Sequence, residues 1–296
     1  MKIDLTSSYE VLRKYFKGSK RYFLSSLSFP RDYQVQVAMV YNFCRLVDDS
    51  VDEPEKVNIE FKEIKRLYDK SLGGNNSGNN IIDDFIVVKN RKGIEEQWVQ
   101  ALFDSMQMDI DGTNYTNLDE TLKYVHGVAE VVGLMMCKVL DIPQDAYPYA
   151  RLLGRSAQWI NFIRDIDEDM NNGRTYFPST ELKAYGLDSL RYKDVLKNLD
   201  GYKKFLDFQS ERFYEWTKEA EKGYKFIPKK LLNPILYATE IDKWKMGEIL
   251  NFPLSVYEKK INPSLLRMFV QIMKTRIRTI ATIRKKSLLG LGNKIW

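Results

Sequence analysis

The side chains best suited to chemistry in this chain are carboxylates concentrated in two short segments, residues 48–53 and 165–169. Oxygen-bearing side chains recur at four-residue spacing in these segments and just before the second, so that Asp48 and Asp52 share one helix face, and Asn161, Asp165 and Asp169 share another. Each segment closes an apolar run where a helix is expected to end, before Pro54 and before Gly173. Negative charge is unfavourable at a helix C-terminus, and two carboxylates four residues apart repel each other. We therefore expect cations to bridge these side chains. Hard oxygen donors without Cys or His among them favour Mg²⁺, with Mn²⁺ as an alternative.

Arginines accompany both acidic segments. Arg45 lies three residues before the first segment, and Arg164 lies directly before Asp165. Arg174 and Tyr176 follow just beyond the second segment. Metal-binding carboxylates flanked by guanidinium groups make a site for a highly charged phosphate, because the metal and the bidentate arginines both neutralise its oxygens. The alternative for either segment alone is an ordinary solvated acidic surface.

The composition restricts the classes of protein. The chain has 296 residues with 44% hydrophobic content, which is enough for a sizeable core. Its net charge of +6 favours anionic partners, but no concentrated basic stripe with interleaved aromatics predicts nucleic-acid binding. We find no glycine-rich nucleotide motif and therefore expect no nucleotide cofactor. Cys44 and Cys137 lie in apolar helical patterns, so we expect reduced thiols in a cytoplasmic protein.

Helical periodicity runs through nearly the whole chain. The predicted helices are residues 33–53, 59–72, 94–110, 118–140, 145–172, 187–223, 229–250 and 263–286. Asp145 is a candidate cap for the helix that contains the second acidic segment, with Pro148 in its first turn. Residues 73–80 (GGNNSGNN) predict a flexible surface loop without means of packing. We therefore predict a single all-α domain over residues 1–296.

Three stretches of the sequence together resemble the squalene/phytoene synthase family. YNFCRLVDDSVDE (residues 41–53) resembles the first aspartate-rich motif, and QWINFIRDIDEDMNNGRTYFP (residues 158–178) resembles the second. YVHGVAEVVGLMM (residues 124–136) is similar to the helix between them, in which Gly127 and Gly133 indicate close helix packing or space for a ligand. The resemblance extends from about Ser19 to about Tyr257, which is most of the chain.

This resemblance implies an all-α isoprenoid-synthase (terpenoid-synthase) fold in which the acidic segments face each other across a central cavity. It implies catalytic roles for Asp48, Asp52, Asp165, Asp169 and Arg164, and Mg²⁺ ligation by the four aspartates together with Asn161. The implied substrate contacts are Ser19, Lys20, Arg21, Tyr41, Arg45, His126, Gln158, Arg164, Arg174 and Tyr176. The implied reaction is head-to-head condensation of two prenyl diphosphates through a cyclopropylcarbinyl diphosphate.

Several positions depart from the family pattern. Glu130 stands where a glycine is usual, and His126 stands where Tyr is frequent. Gly18 replaces an expected His, and Met246 occupies a position that is often Tyr. His126 is therefore either a packing residue or a polar contact near the diphosphate. Both acidic motifs are complete.

Two alternatives to the leading function remain open. We expect two geranylgeranyl diphosphates to be joined to phytoene, a step of carotenoid biosynthesis; the alternative within the family joins farnesyl diphosphates to squalene, dehydrosqualene or presqualene diphosphate. An alternative of another class is a non-catalytic relative that acts in protein assembly. We expect a monomer or a weak homodimer.

The C-terminal residues combine basic and apolar side chains. Basic residues up to Lys286 lead into SLLGLGNKIW (residues 287–296), which is far shorter than the roughly 20 residues that span a bilayer. One interpretation is peripheral contact with an anionic membrane at its inner, cytoplasmic face. The other is a helix with a solvated basic face whose Leu and Trp side chains pack on the domain.

Overall fold

The computed structural model describes residues 5–259, 261–264, 266–268 and 270, and within them it contains helices and no β-strand. The α-helices are α1 (Leu5–Gly18), α2 (Lys20–Ser26), α3 (Arg31–Asp52), α4 (Pro54–Val57), α5 (Phe61–Leu72), α6 (Asn80–Lys92), α7 (Glu96–Ile110), α8 (Leu118–Val125), α9 (Val131–Val139), α10 (Tyr147–Arg164), α11 (Ile166–Asn171), α12 (Ser179–Ala184), α13 (Tyr192–Val195), α14 (Leu199–Glu221), α15 (Lys229–Asn251) and α16 (Ser255–Glu258). Short 3₁₀ turns occupy Gln144–Ala146, Leu196–Asn198 and Lys222–Phe226. The all-α prediction is confirmed.

The helix that carries the first acidic segment is central to the core. α3 begins after Pro30 and ends before Pro54, close to the predicted bounds. Val40, Phe43 and Val47 of α3 are fully buried, and the Phe43 ring stacks on Phe85 of α6 at 3.9 Å between centroids. Burial of this apolar face fixes the direction in which the polar end of α3 points.

The helix that carries the second acidic segment is broken, contrary to the single helix predicted over residues 145–172. α10 begins at Tyr147, where no side chain caps it, so Asp145 is not its cap. α10 ends at Arg164, and Asp165 then leads into α11. The backbone N–H of Asp165 still bonds to the Asn161 carbonyl, and that of Asp169 bonds to the Asp165 carbonyl, at 2.9 and 2.8 Å. The four-residue spacing of the predicted ligands therefore survives the break.

A π-helical turn, His126–Glu130, separates α8 from α9, where one continuous helix over residues 118–140 was predicted. Gly127 in this turn packs directly on α7: a Cβ there would lie 2.1 Å from both the Ala101 carbonyl oxygen and the Ser105 hydroxyl. Only glycine allows this approach, and π turns inside helices are frequently found at functional sites.

Other predicted segments also differ from the structure. The region predicted as one helix, residues 187–223, divides into α13, a 3₁₀ turn and α14. The loop predicted at residues 73–80 ends at Asn79, which caps α6, and Ser77 within it is buried and bonds through its backbone N–H to Asp83 at 3.1 Å. The loop thus has packing that its composition did not predict. The tail at residues 287–296 lies outside the described residues, as does most of the helix predicted at 263–286.

Candidate active site

A largely apolar cavity of about 470 Å³ lies between α2, α3, α9, α10 and α15. Small residues of α10, such as Ala150 and Gly154, form much of one wall. Its polar lining includes Arg45 and Asp48 near the end of α3, and Gln158 and Asn161 near the end of α10. The cavity therefore has apolar walls, with polar groups where α3 and α10 approach the two acidic segments. We call this polar end the mouth.

Arginines hold the acidic side chains at the mouth. Arg45 pairs with Asp48 at 2.9 Å and with Asp49 at 2.5 Å. Arg164 donates from Nε to Asp165 at 2.7 Å. Arg174, from beyond the second segment, bonds to Asp52 in the first. The last pair joins the two segments, which lie 122 residues apart in sequence at this contact.

Burial, together with repulsion between neighbouring carboxylates, changes the protonation of two acidic side chains. Burial, with the adjacent Asp52 charge, raises the pKa of Asp48 to about 7, although Arg45 opposes this. Burial, with the charges of Asp165 and Glu168, raises the pKa of Asp169 to about 8. Each of these carboxyl groups binds a proton more tightly in the folded chain than in the unfolded chain, so its deprotonation destabilises the fold.

The raised pKa values predict how stability without metal depends on pH. From about pH 4 up to about pH 7 at Asp48 and about pH 8 at Asp169, the native state holds a proton that the unfolded chain releases, so stability should fall as pH rises over this range and level off above about pH 8. We expect a lower melting temperature at pH 9 than at pH 6 in EDTA, and a smaller difference in Asp169→Asn. The exposed Asp119→Asn should behave like the wild type in the same scan. A melting temperature that rises between pH 6 and pH 9 in EDTA would contradict these proton affinities.

The donor set at the mouth fits a hard divalent cation. Its oxygens come from carboxylates and from Asn161, whose Oδ1 atom is buried without a hydrogen-bond partner among the described residues. Within those residues, no three His, Cys, Asp or Glu side chains are grouped closely enough to hold a metal ion by themselves. Mg²⁺ in proteins is commonly held by one or two carboxylates together with phosphate oxygens and water. The arrangement therefore suits metal that binds together with a phosphate ligand.

The predicted substrate contacts are divided between the cavity and its mouth. Tyr41, Arg45 and Gln158 line the cavity, and burial raises the pKa of Tyr41 to about 12. Arg164 and Arg174 pair with the acidic segments as described. Gly18 packs on Tyr41, because a Cβ at residue 18 would lie 2.9 Å from the Tyr41 ring.

The stretch predicted around Ser19 lies at the start of α2. The Ser19 hydroxyl caps α2 by accepting from the Tyr22 N–H at 3.2 Å, and Lys20 and Arg21 are the first two residues of that helix. Ser19 and Lys20 are not among the cavity-lining residues, whereas Tyr22 and Ser25 are.

His126 is not among the residues that line the cavity, and it bonds through Nδ1 to Glu130 at 3.0 Å. Burial alone would raise the pKa of Glu130, but the bonds from His126, Arg155 and Arg151 outweigh it and lower the pKa to about 2. The Glu130 carboxylate is 1% exposed. Two of the departures from the family pattern, His126 and Glu130, thus form one bonded cluster, in which Glu130 joins the π turn to α10.

Sequence reasoning missed Asp109, in the last turn of α7. The Asp109 carboxylate accepts hydrogen bonds from the hydroxyl groups of Tyr124 and Tyr176, at 2.6 and 2.9 Å. Burial raises its pKa, and its charge contributes to the raised pKa of Asp48. A signal was available, since Asp109 is a carboxylate at the C-terminal end of an apolar run, as in the two acidic segments.

Comparison with known sequences gives a consistent picture. The squalene/phytoene synthase model matches residues 16–249. Phytoene synthase of Daucus carota is 28% identical over 257 residues, which are 82% of this chain and 64% of that protein. The chain thus spans less than two thirds of this relative. The 15-cis-phytoene synthase of Synechococcus elongatus is 24% identical over 244 residues, 75% of this chain and 77% of that protein.

Solved structures share the fold. A dehydrosqualene synthase in complex with a ligand superposes with a TM-score of 0.83 at 18% identity, over 93% of this chain and 97% of that one. A squalene synthase from Alicyclobacillus acidocaldarius gives a TM-score of 0.73 at 18% identity, over 85% of this chain and 95% of that one. At these identities the similarity establishes the architecture alone.

Proposed function

Since a family model covers residues 16–249, the chain belongs to the squalene/phytoene synthase family, and from this premise we propose that it is a prenyltransferase joining two prenyl diphosphates head to head. The observation that carries the proposal is the meeting of two acidic segments at the mouth of an apolar cavity, joined by Arg174 and Asp52. Diphosphate requires cations and guanidinium groups, whereas a prenyl chain requires an apolar pocket. The site offers both.

The proposed reaction assigns distinct tasks to the residues at the mouth. Asp48, Asp52, Asn161, Asp165 and Asp169 would hold Mg²⁺, with Mn²⁺ as a substitute, and the metal would offset the charge of the departing diphosphate. Arg45, Arg164 and Arg174 would turn from their carboxylate partners to phosphate oxygens. The C1–O bond of one substrate would break, and the allylic cation would be attacked by the double bond of the other. Loss of a proton would then close the cyclopropane ring of a cyclopropylcarbinyl diphosphate.

The cavity would protect the cationic intermediates. Its apolar walls exclude water, which would otherwise capture an allylic cation as an alcohol. Tyr41 and Tyr124 place ring surfaces in the wall, and aromatic faces attract cations. Tyr41 would stay un-ionised at neutral pH, since its pKa is raised to about 12.

The proposed substrate is geranylgeranyl diphosphate and the proposed product is phytoene. Support comes from relatives that carry the name phytoene synthase in plants and in Synechococcus elongatus. The competing substrate is farnesyl diphosphate, since chain length depends on how deeply the cavity accommodates the prenyl tail.

Stoichiometry tests the reaction class independently of chain length. A complete condensation releases both diphosphates for every hydrocarbon formed, and it should do so only with divalent metal present. A coupled assay of inorganic diphosphate, run alongside extraction of the hydrocarbon, should give a molar ratio of two diphosphates to one hydrocarbon. Release of diphosphate with only prenyl alcohols in the extract would indicate hydrolysis and contradict the proposal.

Arg174→Gln should have opposite effects on metal and on diphosphate. Without Arg174, Asp52 loses its present partner, so Mg²⁺ alone should bind a few-fold more tightly. Inorganic diphosphate at saturating Mg²⁺ should bind roughly 10-fold more weakly, because one charge-assisted contact is lost. Isothermal titration measures both. Arg66→Gln, which breaks only a surface pair with Glu63, is the control and should change neither; weaker Mg²⁺ binding in Arg174→Gln would contradict the exchange of partners.

We also propose that the tail rests on a membrane. The proposed contact is peripheral, at the cytoplasmic face of an anionic membrane. No helix among the described residues is long and apolar enough to cross a bilayer. Each basic residue near such a surface contributes about 1 kcal/mol. In oligomeric state we propose a monomer or a weak homodimer.

Deletion of residues 288–296 tests the membrane proposal. The full chain should sediment with anionic liposomes at low salt, and binding should weaken as salt rises and fall markedly in the truncated chain. Neutral liposomes are the control for electrostatic attraction. Equal binding by a folded truncated chain, or unfolding on truncation, would show that the tail is structural.

A further inference from the structure

A half-buried carboxylate outside the acidic segments, Asp109, connects α7, α8 and residues 173–178. Each oxygen of Asp109 accepts from one tyrosine: Oδ2 from the Tyr124 hydroxyl at 2.6 Å, and Oδ1 from the Tyr176 hydroxyl at 2.9 Å. Tyr124 and Tyr176 are 4% and 6% exposed, so both bonds are shielded from water. Hydrogen bonds to an ionised acceptor are stronger than neutral ones, and burial increases their weight.

Contacts hold the ring, the backbone carbonyl and the hydroxyl group of Tyr176. Its ring stacks between those of Tyr124 and Phe162, with centroids 4.8 and 4.4 Å away. Its backbone carbonyl accepts from the Thr121 hydroxyl at 3.0 Å. The Tyr176 hydroxyl donates to Asp109 and also interacts with the Tyr124 hydroxyl. The neighbouring rings of Tyr124 and Phe162 fix the plane of the Tyr176 ring, and Asp109 fixes where its hydroxyl group points.

Tyr176 lies two residues after Arg174, which reaches across the mouth to Asp52. The Arg174 backbone is held from the other side, because its N–H donates to the Asp169 carbonyl at 2.8 Å. The Asp109 charge also acts directly on the Arg174 guanidinium. The position of Arg174 is therefore set between the second acidic segment and the bond from Tyr176 to Asp109.

We propose that Asp109 is a positioning residue for the diphosphate: through Tyr176 it places Arg174 at the mouth, where Arg174 exchanges Asp52 for a phosphate oxygen. This inference rests on the proposed function. Asp109 is not among the residues that line the cavity, whereas Tyr124 is. It acts on the ligand through Arg174 and does not ligate metal.

A double-mutant cycle on diphosphate binding tests this role. The dissociation constant of inorganic diphosphate at saturating Mg²⁺ is measured for the wild type, Asp109→Ala, Arg174→Gln and the double variant. We expect about 10-fold weaker binding in Asp109→Ala, and a double variant no weaker than Arg174→Gln within about 2-fold. Tyr176→Phe, which keeps the ring stack and loses only the bond, should reproduce the loss if Asp109→Ala fails to fold.

The same helix offers a matched control. Tyr68 donates to Glu96 at 2.7 Å, a tyrosine–carboxylate bond at the other end of α7. Tyr68→Phe should leave diphosphate binding unchanged. Any small loss of affinity that it causes should be independent of Arg174, so that the losses from Tyr68→Phe and Arg174→Gln multiply in the double variant. A general loss of packing around α7 would instead weaken diphosphate binding equally in Tyr68→Phe and in Tyr176→Phe.

Three results would overturn the inference. If the losses of diphosphate affinity from Asp109→Ala and Arg174→Gln multiply in the double variant, Asp109 acts independently of Arg174. Weaker Mg²⁺ binding by Asp109→Ala without diphosphate would make it a metal ligand. Unchanged diphosphate binding in both Asp109→Ala and Tyr176→Phe would remove the role altogether while leaving the proposed function intact. A wild-type chain that binds no diphosphate with Mg²⁺ would overturn the proposed function as well.

Discussion

Asp165→Asn should lower turnover of prenyl diphosphate by at least about 100-fold while the helical fold is retained. Asn keeps the shape of the side chain but removes the charge proposed to hold metal. It also removes a charge that raises the pKa of Asp169, so stability without metal should be equal to or higher than that of the wild type. Steady-state turnover, circular dichroism and thermal melting in EDTA measure the three effects.

A neighbouring carboxylate provides the control for this prediction. Asp167 lies in the same segment but outside the four-residue spacing, and it bonds to Asn171 at 3.4 Å. Asp167→Asn should retain most of the turnover. Near-wild-type turnover in Asp165→Asn at ordinary Mg²⁺ concentration would remove Asp165 from the proposed ligand set.

Gly127→Ala should destabilise the protein by about 3 kcal/mol, a loss of roughly 5–10 °C in melting temperature. The new Cβ would lie 2.1 Å from the Ala101 carbonyl oxygen, so α7 or the π turn has to move. Movement of the rigid backbone is far more costly than rotation of a side chain. Thermal or urea unfolding with Mg²⁺ absent measures the loss directly.

Gly247 is the matched position for this comparison. It lies within α15, and a Cβ there would meet nothing within 4 Å. Gly247→Ala should therefore stabilise the helix by about 0.5–1 kcal/mol, because glycine is unfavourable in a helix interior. Equal effects of the two substitutions would show that the close packing of Gly127 on α7 is not maintained in solution.

Sequence patterns predicted the helices and the acidic residues because both depend on local spacing. The bounds of α3 follow from Pro30, Pro54 and an apolar period between them, so prediction and structure nearly coincide. The breaks at Asp165 and at the π turn were not predicted. The π turn accompanies the packing of Gly127 against Ala101, and such contacts between distant segments have no periodic signal.

The polar clusters were harder to predict than the acidic segments. Asp109 and Tyr176 are 67 residues apart, and their contact depends on how α7 meets the segment after α11. Glu130 stood out only as a departure from a family pattern. Its partners Arg151 and Arg155 lie one turn apart on α10, which explains how a buried carboxylate is accommodated, but that match requires knowing that the π turn packs on α10.

The most direct test of the proposed function is identification of the product. Purified protein receives Mg²⁺ with geranylgeranyl diphosphate or with farnesyl diphosphate in separate reactions, and the extracted hydrocarbons are identified by mass spectrometry. Our account predicts phytoene from geranylgeranyl diphosphate, with no product in EDTA. Exclusive turnover of farnesyl diphosphate would contradict the assigned substrate, and no turnover of either would contradict a catalytic function and favour a role in protein assembly.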